Sequence, residues 1–387
     1  MKIQVNSQGK AYIANGKALK PNSFSGDGEF LVMVIDYDGT VLKQDYLNTG
    51  DVFTMPTPPT HKGLIFQEWS APLQVINNAV TIGIDDCIIG AVYTTASGKN
   101  EFDITLNSIT GLSVTLKMNG TKNWGDGTSD TLTTHTYASA GDYTITCDGS
   151  TMTTGSTSGL FGQASGAYNY TVTAVRLANI TSTSSTYVFA YMRSLKTITI
   201  PKGYSGSLGA WFYGCCAKYV ILPTTVSTNI GGSIFRGATR LKIAVIPYGV
   251  ISASTSFRGS YSLLYGIMPS TKTGATGTYF LTGCYGIQKR IVSYVSDLGS
   301  YFLNNSVGVE KVVCMNNVTT IGELAFSGCA SLMEVDFTHN TSVPTLDDIS
   351  AFNGINSLCK IKVPKSLETS WKGATNWATY ADYIVGV

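Results

Sequence analysis

Carboxylates, histidines and serines are the residues of this 387-residue chain that could carry chemistry, and the sequence groups few of them. Asp36-Tyr-Asp38-Gly-Thr40 follows a hydrophobic run, and a second acidic pair stands at Asp85-Asp86. Carboxylates so spaced could serve nucleophilic attack or metal-assisted transfer. A looser trio, Asp126, Asp130 and Asp142, leaves calcium open, although two or three carboxylates without further ligands do not complete a cage and a hydrogen-bonded turn is the simpler use. The three histidines, His61, His135 and His339, include no pair suited to a metal. Serine is abundant, but no Gly-x-Ser-x-Gly elbow stands between a strand and a helix, and Gly203-Tyr-Ser-Gly-Ser207 falls where a turn is expected. No glycine-rich phosphate cradle occurs. The expectation is a non-enzyme with no catalytic residue, metal or cofactor.

The strongest competing reading comes from Val32-Met-Val-Ile-Asp36-Tyr-Asp38-Gly-Thr40-Val-Leu42, which resembles the opening motif of the haloacid-dehalogenase phosphatases. That resemblance implies that Asp36 attacks phosphorus, that Asp38 handles the leaving-group proton, and that Mg²⁺ bridges carboxylates and phosphate. The elements needed to position them argue against it. Parallel strands require crossovers of a dozen residues or more, and the stretch between Asp38 and Asp85 is rich in Pro and Gly and holds no amphipathic helix. A β-hairpin turning at Asp38-Gly39 is expected, with the phosphatase a distant alternative.

Residues 1–24 contain two echoes, Gln8-Gly-Lys-Ala11 and Asn15-Gly-Lys-Ala18, the second an Asn-Gly hairpin signal. Too small for a core, this segment is expected to be a leader or to dock on another protein. Residues 25–95 run from Phe30-Leu-Val-Met-Val-Ile35 through the Tyr37-Asp-Gly-Thr-Val-Leu42 hairpin to Pro56, Pro58 and Pro59, which exclude a helix or central strand. Gly63-Leu-Ile-Phe-Gln-Glu-Trp69 and Val80-Thr-Ile82 follow. This order resembles the β-grasp-like modules of the internalin B-repeat type, with Glu68 where those repeats carry Gly before the Trp; the resemblance implies a spacer or adhesion unit. In residues 96–150, Leu112, Val114, Leu116 and Met118 alternate as in a half-buried strand. Trp124-Gly-Asp-Gly127, His135-Thr-Tyr137 and Gly141-Asp-Tyr-Thr-Ile145 resemble the PKD-type immunoglobulin-like sandwich, which implies that Trp124 and Tyr143 are core residues and that Asp126 holds the loop. Residues 151–170 read as a linker or an irregular first cap.

From residue 171 to 387 the chain is periodic. Phe189, Phe212, Phe235, Phe257, Phe280, Phe302, Phe326 and Phe352 recur at separations of 23, 23, 22, 23, 22, 24 and 26 residues, most followed by a short glycine turn. Between them lie apolar strands, often closed by proline, as in Tyr219-Val-Ile-Leu-Pro223. No unit this short can cover its own apolar side, so the units must stack into a solenoid around one core. Asn317-Val-Thr-Thr-Ile-Gly-Glu-Leu-Ala-Phe-Ser-Gly-Cys-Ala-Ser-Leu332 resembles the BspA-like leucine-rich repeat almost position for position. The tail, with Trp371 and Trp377, breaks the period and is expected to cap the last coil. The fold class expected is therefore mainly β: a small β-grasp-like module, an Ig-like (PKD) β-sandwich and a C-terminal leucine-rich-repeat solenoid in series.

Residues that alternate with the core positions of each strand should form a ladder on the outer face. Aligned on the prolines, this ladder includes Thr199, Tyr219, Ile221, Ile243, Val245, Tyr265 and Ile267, an apolar stripe that reads as a binding or self-association surface. A slip of one residue would exchange the faces.

Charged residues make up 13% of the chain, well below the usual share, and the net charge is +2, too balanced for a nucleic-acid footprint. Eight scattered cysteines are expected to be free core thiols. No apolar stretch suggests a signal peptide or membrane insertion. Modules that act outside cells then need another route out, which a virion supplies. The expected function is that of a bacteriophage structural protein, a tail, fibre or head-decoration component, docking on virion proteins through residues 1–24 and binding a host cell-surface protein or glycan through the solenoid. The alternative is a bacterial cell-surface adhesin of the BspA-like type, placed at the extracellular surface. A homo-oligomer is left open.

Overall fold

A computed structural model describes residues 13–14, 17–18, 29–153, 158–163, 166–180, 186–226, 230–251, 256–271, 277–287 and 289–387. Strands β1 (Ile13–Ala14) and β2 (Lys17–Ala18) pair antiparallel across the Asn-Gly signal. The remainder of the proposed docking segment lies outside the described residues.

The next unit comprises β3 (Phe30–Ile35), β4 (Val41–Leu47), β5 (Val52–Thr54), β6 (Leu64–Ser70), β7 (Ala79–Thr81) and β8 (Cys87–Thr95). Its main sheet has the order β4-β3-β8-β6, with β3 and β8 parallel, while β5 pairs with β7. The hairpin expected at Asp38-Gly39 is present: Gly39 adopts φ +88° and the Thr40 amide donates to the Asp38 carboxylate at 2.9 Å. One face buries Val32, Val34, Phe53, Trp69 and Ile89. Every residue of β3 is buried, as its unbroken apolar run requires, because a strand with one wet face would alternate.

A small two-sheet unit follows. Strands β9 (Asn100–Leu106), β11 (Lys122–Asn123), β12 (Ser129–Asp130) and β14 (Gly141–Cys147) form one sheet, and β10 (Ser113–Thr115) pairs with β13 (Thr134–Thr136) in the other. Trp124 is buried as expected. Tyr143 is only half-buried; Tyr137 is the core tyrosine, its hydroxyl donating to the Trp124 carbonyl at 2.8 Å. The sheet continues beyond this unit, because β9 pairs with β15 (Val172–Arg176), which pairs in parallel with β16 (Thr197–Thr199). One hydrophobic core likewise extends from Phe102 to Ile384 and includes Leu160 and Phe161. The sandwich thereby closes the first coil of the solenoid, whose open end would otherwise expose apolar side chains.

The solenoid carries β17 (Tyr219–Ile221), β18 (Ile243–Val245), β19 (Lys289–Ser293), β20 (Asp297–Leu298), β21 (Val309–Cys314), β22 (Thr320–Ile321), β23 (Glu334–Asp336), β24 (Thr345–Leu346) and β25 (Lys360–Val363). Successive coils pair in parallel as β17-β18, β19-β21-β23-β25 and β20-β22-β24. All eight phenylalanines of the periodic series are buried, and neighbouring rings stack, Phe212–Phe235 at 5.5 Å, Phe235–Phe257 at 5.1 Å and Phe326–Phe352 at 4.8 Å.

Two coils are offset by one residue. The main-chain ladder Phe235 N to Ser256 O, Phe257 N to Phe280 O, Leu281 N to Phe302 O and Leu303 N to Ala325 O puts Leu281 and Leu303 in the peg position, with Phe280 and Phe302 one residue earlier. The rings accordingly turn edge-on where the offset begins and ends, at 89° for Phe257–Phe280 and 82° for Phe302–Phe326. In four successive coils the slot three residues after the peg takes a small donor. Ser260 donates to Phe235 O at 2.7 Å, Cys284 to Phe257 O at 3.2 Å, Ser306 to Leu281 O at 2.7 Å and Cys329 to Leu303 O at 3.2 Å, each bridging to the preceding coil. All eight cysteines are free and buried, and burial pushes the Cys215 and Cys329 thiols up to about 12.

At the far end α1 (Glu368–Gly373), a 3-10 turn over Trp377–Tyr383 and β26 (Ile384–Gly386) form the cap. Trp371 and Trp377 are buried 4.6 Å apart, Trp377 lies 5.7 Å from Phe352, and its indole donates to the Pro344 carbonyl at 2.9 Å. β26 extends the sheet beside β25. No helix among the described residues is long and apolar enough to cross a membrane.

Candidate functional site

Asp36 follows β3 with its carboxylate buried against His61, 2.7 Å from the ring Nε2, and accepts the Tyr37 amide at 2.8 Å. The His61 ring lies edge-on to Tyr37 and Tyr93, so the pair fastens the proline-rich bend to the hairpin. Asp38 is exposed on the turn. Asp86 accepts the Leu31 amide at 2.8 Å, near the opposite end of β3 and thus roughly 15 Å away at about 3.3 Å per residue. One phosphate and its metal cannot bridge both acidic pairs. The phosphatase reading of Asp36 and Asp38 therefore loses its second acidic pair: β4 returns antiparallel beside β3, and the parallel β8 carries Asp85 and Asp86 at the end away from Asp36.

Asp126 does hold its loop. The Thr128 hydroxyl at 2.6 Å, with His135 at 2.7 Å, keeps its carboxyl down at about 2. Asp130 instead accepts the Trp124 indole at 3.0 Å, and Asp142 accepts the Thr105 hydroxyl at 2.6 Å. Among the described residues no three His, Cys, Asp or Glu side chains converge as a metal site.

Strand pairing places the apolar stripe on the outward face, Tyr219 opposite Ile243 and Ile221 opposite Val245. Solvent does not reach most of it. Tyr219, Ile221, Ile243, Val245, Tyr265 and Ile267 form a second core with Leu31, Met33, Ile35, Ile88 and Val92 of the N-terminal module. Ile221, Ile243, Val245 and Thr199 are buried, and the others are half-buried. The expectation of an exposed stripe is corrected: the chain covers it with its own β3 and β8, whose second apolar faces need the same cover.

Sequence reasoning missed the residues that make this docking possible. The Tyr219 ring lies where a Cβ on Gly39 would project, and Ile221 lies 2.6 Å from where one on Gly90 would stand, so glycine at both positions admits the solenoid side chains. Ser70 donates to Leu222 O at 2.6 Å, and the Tyr248 amide donates to Ala71 O at 2.7 Å. Glu68 accepts the amide and hydroxyl of Thr224, each at 2.8 Å, and pairs with Lys202 at 3.2 Å. Arg290 lies over Phe30 and pairs with Glu29 at 3.2 Å. Burial, with Asp86 beside it, pushes Asp85 up to about 7 against the pull of Arg290. Two signals were available: the non-alternating run Phe30–Ile35, which demands two covers, and Glu68 in place of a glycine.

Residues 165–288 and 276–376, more than half of the chain, match the family of the BspA type leucine rich repeat region in six copies. No curated protein matches the chain. Repeats of this type point to a surface or adhesin-type protein, and a leucine-rich-repeat solenoid is typically an interaction scaffold without enzymatic activity. With its stacked pegs, glycine turns and parallel strands, the chain belongs to the BspA-type leucine-rich-repeat family.

Proposed function

We propose that the protein is a non-enzymatic recognition rod that attaches its carrier to a host surface through the solenoid, and that the carrier is a bacteriophage particle in which it forms a tail, fibre or head-decoration part. The observation that carries the recognition role is the capped solenoid of BspA-type coils. Its outer strands are braced by the N-terminal module over the early coils, which makes the rod a fixed platform. Support for the virion comes from the resemblance of residues 25–95 to B-repeat-like modules and of residues 96–150 to PKD domains, units that work outside cells. Residues 1–24 then dock on virion proteins, and the solenoid meets a host cell-surface protein or glycan. The second reading, a bacterial surface adhesin, is favoured by the repeat family itself.

Immunogold labelling of purified particles and of the producing cells separates the two. Label on particles supports the virion, whereas label confined to the bacterial envelope replaces it with the adhesin. Deleting residues 1–24 should abolish particle incorporation while the solenoid still unfolds cooperatively; undiminished incorporation refutes the docking role.

A further inference from the structure

The near-neutral total conceals a strong asymmetry. Residues 149–296 contain twelve Lys and Arg and not one Asp or Glu. Arg176, Lys202 and Arg290 are taken up by carboxylates of the preceding modules. Among the described residues Arg193, Arg236 and Arg258 join no ion pair; each guanidinium lies over a tyrosine ring, Tyr168 at 4.3 Å, Tyr213 at 5.5 Å and Tyr279 at 3.9 Å. Tyrosines complete the line, with Tyr191–Tyr213 at 5.3 Å and Tyr279–Tyr301 at 4.4 Å.

Arg236 and Arg258 hold the same place in adjacent coils, since the Gly237 amide donates to Arg258 O at 2.8 Å. The result is a tyrosine–arginine ribbon along the glycine-turn edge, crossing six coils from Tyr191 to Tyr301, roughly 24 Å at about 4.8 Å per coil. Exposed Lys196, Lys218 and Lys242 follow from the same turns into consecutive strands. The docked N-terminal module engages the sheet face and strand ends, and among the described residues Arg193, Arg236 and Arg258 stay half-buried outside that contact.

Guanidinium forks recognise carboxylate, sulfate or phosphate groups in bidentate fashion. Nucleobases would need free ring faces for stacking, but here Tyr168 and Tyr213 each give a face to a guanidinium, and Tyr279 lies between Arg258 and Tyr301, which favours a ligand that uses ring edges and hydroxyls. We propose that the ribbon binds a linear anionic glycan laid across the coils, its acid groups on Arg193, Arg236 and Arg258 and its hydroxyls against the tyrosine edges. This deepens the surface-recognition reading and rests on it for biological meaning.

The test is binding of the full chain to immobilised polygalacturonate and dextran sulfate, with neutral dextran and oligo(dT) as comparisons. Both polyanions should bind and neutral dextran should not. The combined Arg193→Gln, Arg236→Gln and Arg258→Gln variant should bind at least about tenfold more weakly and with a log–log salt slope shallower by about two to three. Its melting temperature should be unchanged, and Lys360→Gln, outside the ribbon, should change nothing. Undiminished binding by the triple variant, equal retention of neutral dextran, or tighter binding to oligo(dT) overturns the proposal. If the triple variant does not fold, Arg236→Gln alone carries the test, with a loss of about threefold expected and no loss overturning it. Polyanion binding through the ribbon without attachment to whole host cells would defeat the proposed function and leave this inference standing; attachment that is indifferent to the ribbon would do the reverse.

Discussion

Strands β17 and β18 present Tyr219, Ile221, Ile243 and Val245 outward, whereas β21, β23 and β25 present Lys311, Glu334 and Lys362 on the corresponding face. The early set is roofed by the N-terminal module, while the late set stands open with Glu334 bridging Lys311 and Lys362, both at 2.7 Å. Both regions share the same interior, a stack of buried aromatic pegs with turns at fixed places. The difference teaches that in a solenoid the inward residues build the coil and the outward residues decide what the coil must touch. Repeat architecture leaves the outward positions free because each coil contacts its neighbours through the other residues.

Four experiments break or sharpen this comparison. The shared interior predicts that Phe235→Ala in the early coils and Phe326→Ala in the late coils each cost about 3–5 kcal/mol in chemical denaturation; a loss below about 1 kcal/mol at either would end the equivalence. Val245→Asp sets a carboxylate between two apolar sheets and should cost about 3 kcal/mol. It should also speed proteolysis within residues 29–95 while the solenoid stays protected, and unaltered cleavage would show that the roof does not depend on this stripe.

The third experiment concerns pH. The folded state holds the Asp85 proton more tightly than the unfolded chain does, so this contribution is full below about 4 and is lost as pH rises through about 7. Stability of the docked module should therefore fall by roughly 1–3 kcal/mol between pH 5 and pH 8, and Asp85→Asn should flatten that slope. Equal slopes in both proteins would remove Asp85 from the account. Smallest of all, Lys362→Gln on the open late face should cost at most about 1 kcal/mol, and less in high salt.

Much of the fold was legible in the sequence. The peg spacing, the glycine turns and the aromatic tail each act between neighbouring coils, so periodicity exposes them. The offset at Phe280 and Phe302 was hidden because Leu281 and Leu303 fill the peg position as well as phenylalanine does. The sandwich motif points to Tyr143 as the core ring for a similar reason: both tyrosines belong to that motif, and only packing shows that Tyr137 is the enclosed one. The candidate site was half legible. Proline alignment identified the outward stripe, but its cover comes from residues more than a hundred positions earlier, and no local pattern names that partner. Asp36 and Asp86 appeared as related acidic pairs until strand direction placed them near opposite ends of β3.

By itself the sequence determined that this chain winds into coils, how long each coil is and which residues fill its interior, because those properties depend on short-range periodicity and on side-chain size. Tertiary structure alone decided which outer face is roofed, why Gly39, Gly90 and Glu68 stand where they do, and which arginines keep no carboxylate partner. Burial and charge pairing are properties of what a side chain meets, and a folded chain brings together residues that its order keeps apart.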